Sequence, residues 1–148
     1  MRRALFILIA VLSFAAPVSA TDSVRLRVVL VLDASLSMRD NDPDQLARLA
    51  ARLLADLTNA QDRVTLVTFG TAARSVKTAT GAEHDALSKA LDGVVPNEKC
   101  TDYGKGLAEA VKAFTGPPPK GERRLVVFLT DGELQPAKAD TDLSLIHI

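Results

Sequence analysis

"VVLVLDASLSM", Val28 to Met38, is the stretch that decides the fold. Five apolar residues run into Asp33, and Ser35 and Ser37 follow at alternate positions. The apolar run continues the pattern begun at Val24, so Val24–Leu32 reads as a strand covered on both faces. A spacing of two in extended chain puts alternate side chains on one side. The strand therefore delivers one carboxylate and two hydroxyls to its end.

A second stretch repeats that plan. In "RRLVVFLTDGE", Leu125–Leu129 is a buried strand that stops at Asp131. Between the two lie the elements of an α/β alternation. "DPDQLARLAARLLADLTN" predicts a helix, with Asp42 as N-cap, Pro43 at its first position and Leu46, Leu49, Leu53, Leu54 and Leu57 as the apolar stripe. "RVTLVTF", Arg63–Phe69, predicts the next strand, and only "GTAA" separates it from the polar "RSVKTA". So short a link cannot hold a crossover helix, so these two strands are antiparallel and the polar one lies at an edge. Helices follow over Ala82–Val94 and within "GKGLAEAVKAF", the latter with Leu107, Val111 and Phe114 on one face. The expectation is a doubly wound, mainly parallel sheet with one antiparallel edge strand, flanked by helices. In such sheets ligands bind beyond the carboxyl ends of the strands, where Asp33 and Asp131 both fall.

The donors at those ends are all hard oxygens. Asp33, Ser35 and Ser37 are joined by Thr101 of "CTDYG" and Asp131 of "LTDGE". With no Cys or His among them, the set selects Mg²⁺, or Mn²⁺ or Ca²⁺, over zinc or copper. Each has a plainer reading: Asp33 as a turn residue, Ser35 and Ser37 as helix caps, Thr101 as the cap of the helix after it. Their joint occurrence at strand ends flanking one crevice favours the metal.

"DASLS", "TDYG" and "LTDGE" resemble the metal-ion-dependent adhesion site of the von Willebrand factor type A domain, also called the integrin I domain. The resemblance covers Val24 to Glu133, about the first two-thirds of such a domain. It implies metal binding through the hydroxyls of Ser35, Ser37 and Thr101, with Asp33 and Asp131 bound directly or through water. It also implies a binding function: the metal accepts an Asp or Glu carboxylate from a protein partner. A switch through the family's last helix is not arguable for this sequence, which carries no such helix.

The rest of the sequence bounds these readings. Lys and Arg total 18, as do Asp and Glu, and there is no Trp, which argues against nucleic acid. Residues 1–20 read as a signal peptide: Arg2 and Arg3, the apolar run Ala4–Ala16, then "VSA" with cleavage after Ala20. The alternative is an uncleaved membrane anchor. The expected location is secreted or periplasmic. Residues 21–142 read as a partial type A domain, its last third missing, and "LSLIHI", residues 143–148, as a non-native tail resembling a translated sequencing adapter. Membrane association could come from a missing C-terminal segment. Cys100 is the only cysteine, which rules out an intrachain disulfide.

An enzyme is not expected. Asp33 and "VVFLT" resemble in part the haloacid-dehalogenase-like phosphatases, but the second acid that chemistry needs is replaced by Ser35. There is no P-loop and no nucleophile elbow. His84 reads as a solvated helix residue, and His147 falls in the tail. A third reading makes the metal a staple that only ties loops together.

Overall fold

A computed structural model describes the backbone of residues 10–14 and the whole of residues 24–132. Five strands are named in chain order: β1 (Ala10–Phe14), β2 (Arg25–Asp33), β3 (Arg63–Phe69), β4 (Ala73–Thr80) and β5 (Glu122–Leu129). Four helices accompany them: α1 (Ser37–Asn41), α2 (Leu46–Asp56), α3 (His84–Asp92) and α4 (Tyr103–Lys112), with a short 3-10 turn at Gly81–Glu83 before α3. The sheet order is β1-β5-β2-β3-β4. The pairs β2–β3 and β2–β5 are parallel, and β3–β4 is antiparallel as the four-residue link requires. The sheet is thus mixed, parallel through its three central strands, with antiparallel β4 at one edge and β1, also antiparallel, at the other.

The alternation of β2 divides the core. Val28, Leu30 and Leu32 face α2 and α3, while Val29 and Val31 face α4 together with Val67, Phe69 and Val126. A strand buried on both faces has no polar side to show, which is why its sequence is an unbroken apolar run. The foot of the sheet is pinned by Asp62. Its buried carboxylate accepts Leu26 N at 2.7 Å and Asn59 N at 2.7 Å.

Several local expectations are corrected. Asp42 does cap α2, but from a distance: its carboxylate accepts Leu46 N at 2.7 Å and Ala47 N at 2.9 Å. The chain turns between, through Gln45 at φ 56°, so Pro43 is not the first helical residue. The short helix α1, which the sequence pattern did not signal, fills the space after Ser35.

The apolar faces of α2 and α4 are rotated from expectation. Leu46, Leu49, Leu53 and Leu57 are 39%, 49%, 56% and 79% exposed, whereas Ala47, Ala51 and Ala55 are buried and Leu54 packs beside them. In α4, Leu107 and Val111 are exposed, and Gly106 and Ala110 are buried. The reason is distance. These helices lie close on the sheet, and only small side chains fit beneath them. A Cβ on Gly106 would sit 3.0 Å from Phe69 Cγ and 3.3 Å from Phe128 Cε1. His84 opens α3 and lies with its Nδ1 3.5 Å from Asp56 Oδ1, partly exposed.

Ala10–Phe14 belongs to the run read as signal peptide. Here it pairs antiparallel with β5, from Ala10 opposite Phe128 to Phe14 opposite Arg124. An apolar segment is as suited to add to an open sheet edge as to enter a membrane. The remainder of residues 1–20 and the tail from residue 133 onward lie outside the described residues.

The rotation of α2 is open to test. Ala51→Leu overpacks a fully buried position and should lower stability by about 1–3 kcal/mol, while Leu53→Gln should change it by about 0.5 kcal/mol or less. Urea unfolding of the two variants measures both, and a larger loss for Leu53→Gln would restore the leucine face to the core.

Candidate functional site

In-register pairing of β2 with β5 sets Leu32 opposite Leu129, so both strands end at the same height. That places Asp33 beside Thr130, with Asp131 next along. Asp33 is buried, and its two oxygens have separate partners. Oδ1 accepts Ser35 N at 2.8 Å, and Oδ2 accepts the hydroxyl of Thr130 at 2.7 Å. Among the described residues no cation pairs with Asp33. Burial pushes its pKa above the ordinary carboxylate value, the bonds from Ser35 and Thr130 oppose that, and the charge of Asp131 adds to the rise. Asp33 and Asp131 therefore share one electrostatic site.

Thr130 is a residue that the sequence reading passed over. Its single proton goes to Asp33, so the phenol of Tyr103, 3.0 Å away, must donate to Thr130 Oγ1. Gly132 N donates to the same oxygen at 3.1 Å. A chain of donors thus runs from Tyr103 through Thr130 to the buried carboxylate. The Tyr103 pKa is raised, chiefly by burial and further by the charges of Asp33 and Asp131. Asn41 at the end of α1 is a second unforeseen member, donating Nδ2 to Asp131 Oδ2 at 2.9 Å. A hydroxyl one residue ahead of a strand-ending acid was the available signal for Thr130. Nothing in the sequence could mark Asn41, because α1 itself was not foreseen.

The plainer readings of the hydroxyls do not match their surroundings. Ser35 and Ser37 cap no helix: α1 begins at Ser37, behind Leu36, with no side-chain cap. Their hydroxyls lie 3.0 Å from each other. The cap of α4 is Asp102, whose carboxylate accepts Lys105 N at 3.0 Å. Thr101 is thereby released from capping. It is fully buried, and among the described residues its Oγ1 has no hydrogen-bond partner. An orphaned buried hydroxyl costs about 1–3 kcal/mol.

The loop that carries Thr101 is fastened to the end of β2. Ala34 O accepts Asn97 N and Glu98 N at 2.9 Å each, and Leu36 N donates to Glu98 O at 2.7 Å. Asp102 N reaches Gly70 O at 3.2 Å. Gly70 permits this approach: a Cβ there would fall 2.2 Å from Glu98 Cβ. Among the described residues no three of His, Cys, Asp and Glu cluster as a metal site.

A sequence profile described as von Willebrand factor type A domain matches residues 28–133, well over half of the chain. The chain belongs to the von Willebrand factor type A domain family. Its match takes in both strand-ending acids and the loop between them. No curated protein matches the chain. Among solved structures it is similar to proximal thread matrix protein 1 from the mussel byssus, described with a zinc-occupied MIDAS motif, at 25% identity and a TM-score of 0.53 over 60% of this chain and 24% of that one. It is similar also to the conserved hypothetical protein BatB from Bacteroides thetaiotaomicron, at 26% identity and a TM-score of 0.51 over 62% and 47% of the two chains. An uncharacterised membrane-spanning protein from Vibrio fischeri matches at 25% identity and a TM-score of 0.53, over 63% and 52%. The chain thus spans about a quarter to a half of the length of these structures.

The Thr130 bridge yields a prediction for the type A domain itself. Thr130→Val keeps the shape but removes the donor to Asp33 and the acceptor for Tyr103, leaving buried polar atoms unpaired. Stability should fall by about 1–3 kcal/mol in metal-free buffer, read by denaturant unfolding; an unchanged midpoint would contradict the bridge.

Proposed function

We propose that this type A domain captures a carboxylate of a protein partner through a divalent cation at the crest of its sheet. Asp33, Ser35, Ser37, Thr101 and Asp131 would hold the ion, directly or through water. The observation that carries this reading is the unpartnered, fully buried hydroxyl of Thr101, on a loop tied to the strand that ends in Asp33. A buried carboxylate with no cation beside it among the described residues points the same way. All five donors are hard oxygens, which fits Mg²⁺, with Mn²⁺ and Ca²⁺ as near equivalents.

When bound, an ion facing two carboxylates and three neutral hydroxyls stays electrophilic and attracts a further anionic oxygen. The chain's own residues prepare for it. Thr130 and Ser35 N orient Asp33, and Asn41 orients Asp131. The position two residues beyond Asp33, where a phosphatase of the kind considered above needs an acid, is Ser35, whose hydroxyl meets Ser37 instead. The proposed setting is outside the cytoplasm, supported by the leader-like composition of Met1–Ala20. Among the described residues no helix is long and apolar enough to cross a membrane.

Asp33→Ala should abolish Mg²⁺ and Mn²⁺ binding in isothermal titration. Thr101→Val, nearly isosteric, should weaken it at least tenfold while leaving the far-ultraviolet circular dichroism unchanged. Unaltered affinity in Asp33→Ala would refute the site. Partner capture is tested separately: binding of the full chain to a candidate ligand surface should be lost in EDTA and restored by Mg²⁺. Binding that survives chelation, with only the melting temperature lowered, would leave the cation as a staple between loops.

A further inference from the structure

The opposite pole of the sheet, where the parallel strands begin, carries a basic cleft that the crest does not explain. The register sets Arg124 opposite Arg27 and Arg27 opposite Arg63, so three guanidinium groups stand in one row across β5, β2 and β3. Directly opposed like charges destabilise a sheet. Arg124 is committed: Nε meets Glu122 Oε1 at 2.9 Å, one terminal nitrogen donates to Gly116 O at 2.7 Å, and the group lies over the Phe114 ring. Arg27, the middle of the row, has a buried Nε with no hydrogen-bond partner among the described residues. Arg63 is exposed, and the nearby Glu83 carboxylate is engaged by the Thr80 amide and hydroxyl.

Arg25, Arg27 and Arg63 line a cleft of about 220 Å³ with Gln61, Pro119 and Glu122. The one acid there, Glu122, is spent on Arg124. A strand of nine residues separates this cleft from the crest by about 27 Å, so the two sites do not share groups.

We propose that this cleft binds a tetrahedral oxyanion of the phosphate or sulfate class. A carboxylate offers one charge and two oxygens. Three guanidinium forks around one opening are better answered by an ion with two charges and more acceptors. The anion would relieve the like-charge row, meeting the guanidinium groups that line the opening. It can be free in solution or the head group of a larger molecule, and the chemistry at the cleft is the same.

Melting of the full chain in EDTA, with inorganic phosphate or sulfate replacing chloride at matched ionic strength, tests the proposal without involving the crest. A saturable rise in melting temperature is expected, and titration calorimetry should give a matching affinity. Arg27→Met should lose the rise, and Arg63→Met, at an exposed position where folding is not at risk, should weaken binding at least tenfold. Arg123→Met removes the same charge from the neighbouring exposed position on the other face and should leave binding unchanged. Cosedimentation with phosphatidic acid vesicles, but not phosphatidylcholine vesicles, assigns the anion to a head group. Phosphate binding without vesicle binding assigns it to the free ion. If Arg63→Met saturates like the unaltered chain, or Arg123→Met loses as much, the cleft is not a site.

Discussion

The parallel pairing of β2 with β5 is the constraint on which the rest depends. Both strands are buried on two faces, run in register and stop together, so two acids far apart in the chain arrive at one place. Bringing carboxylates together in a dry setting is unfavourable by itself. The fold offsets it with fixed donors: a backbone amide and a threonine hydroxyl on Asp33, and an asparagine amide on Asp131. The upward pull on the Asp33 pKa shows that these do not fully compensate. A buried carboxylate pulled toward its neutral form is the electrostatic setting in which a cation is welcome.

Much of this was legible in the residues. Unbroken apolar runs ending in Asp33 and Asp131 identified the central strands, and the brevity of "GTAA" fixed the antiparallel edge. These inferences rest on covalent reach and on the need to bury both faces, which do not depend on the rest of the fold. The helix faces were misjudged for the opposite reason. Leu46, Leu49, Leu53 and Leu57 have perfect amphipathic spacing, yet the contact face is alanine and glycine. Periodicity shows that a stripe exists; the separation between helix and sheet decides which stripe is inside, and separation is a tertiary quantity.

The loop before α4 shows how one residue's ordinary task frees another's. Threonine and aspartate adjoin at the start of that helix, and either could cap it. Because Asp102 does so, Thr101 turns its hydroxyl into the interior unpaired. The sequence reading gave the cap to Thr101 as its plainer alternative and did not weigh Asp102. Asn97, Glu98 and Gly70 hold the loop against β2 and β3 through backbone bonds that no side-chain pattern encodes.

The outward leucines of α2 carry a practical consequence. A surface with balanced charges, 18 of each sign over the chain, offers little colloidal repulsion, and four large aliphatic groups in line along one helix give neighbouring molecules a place to adhere. Crowded or salted solutions of this domain would then be governed by that helix more than by either pole of its sheet.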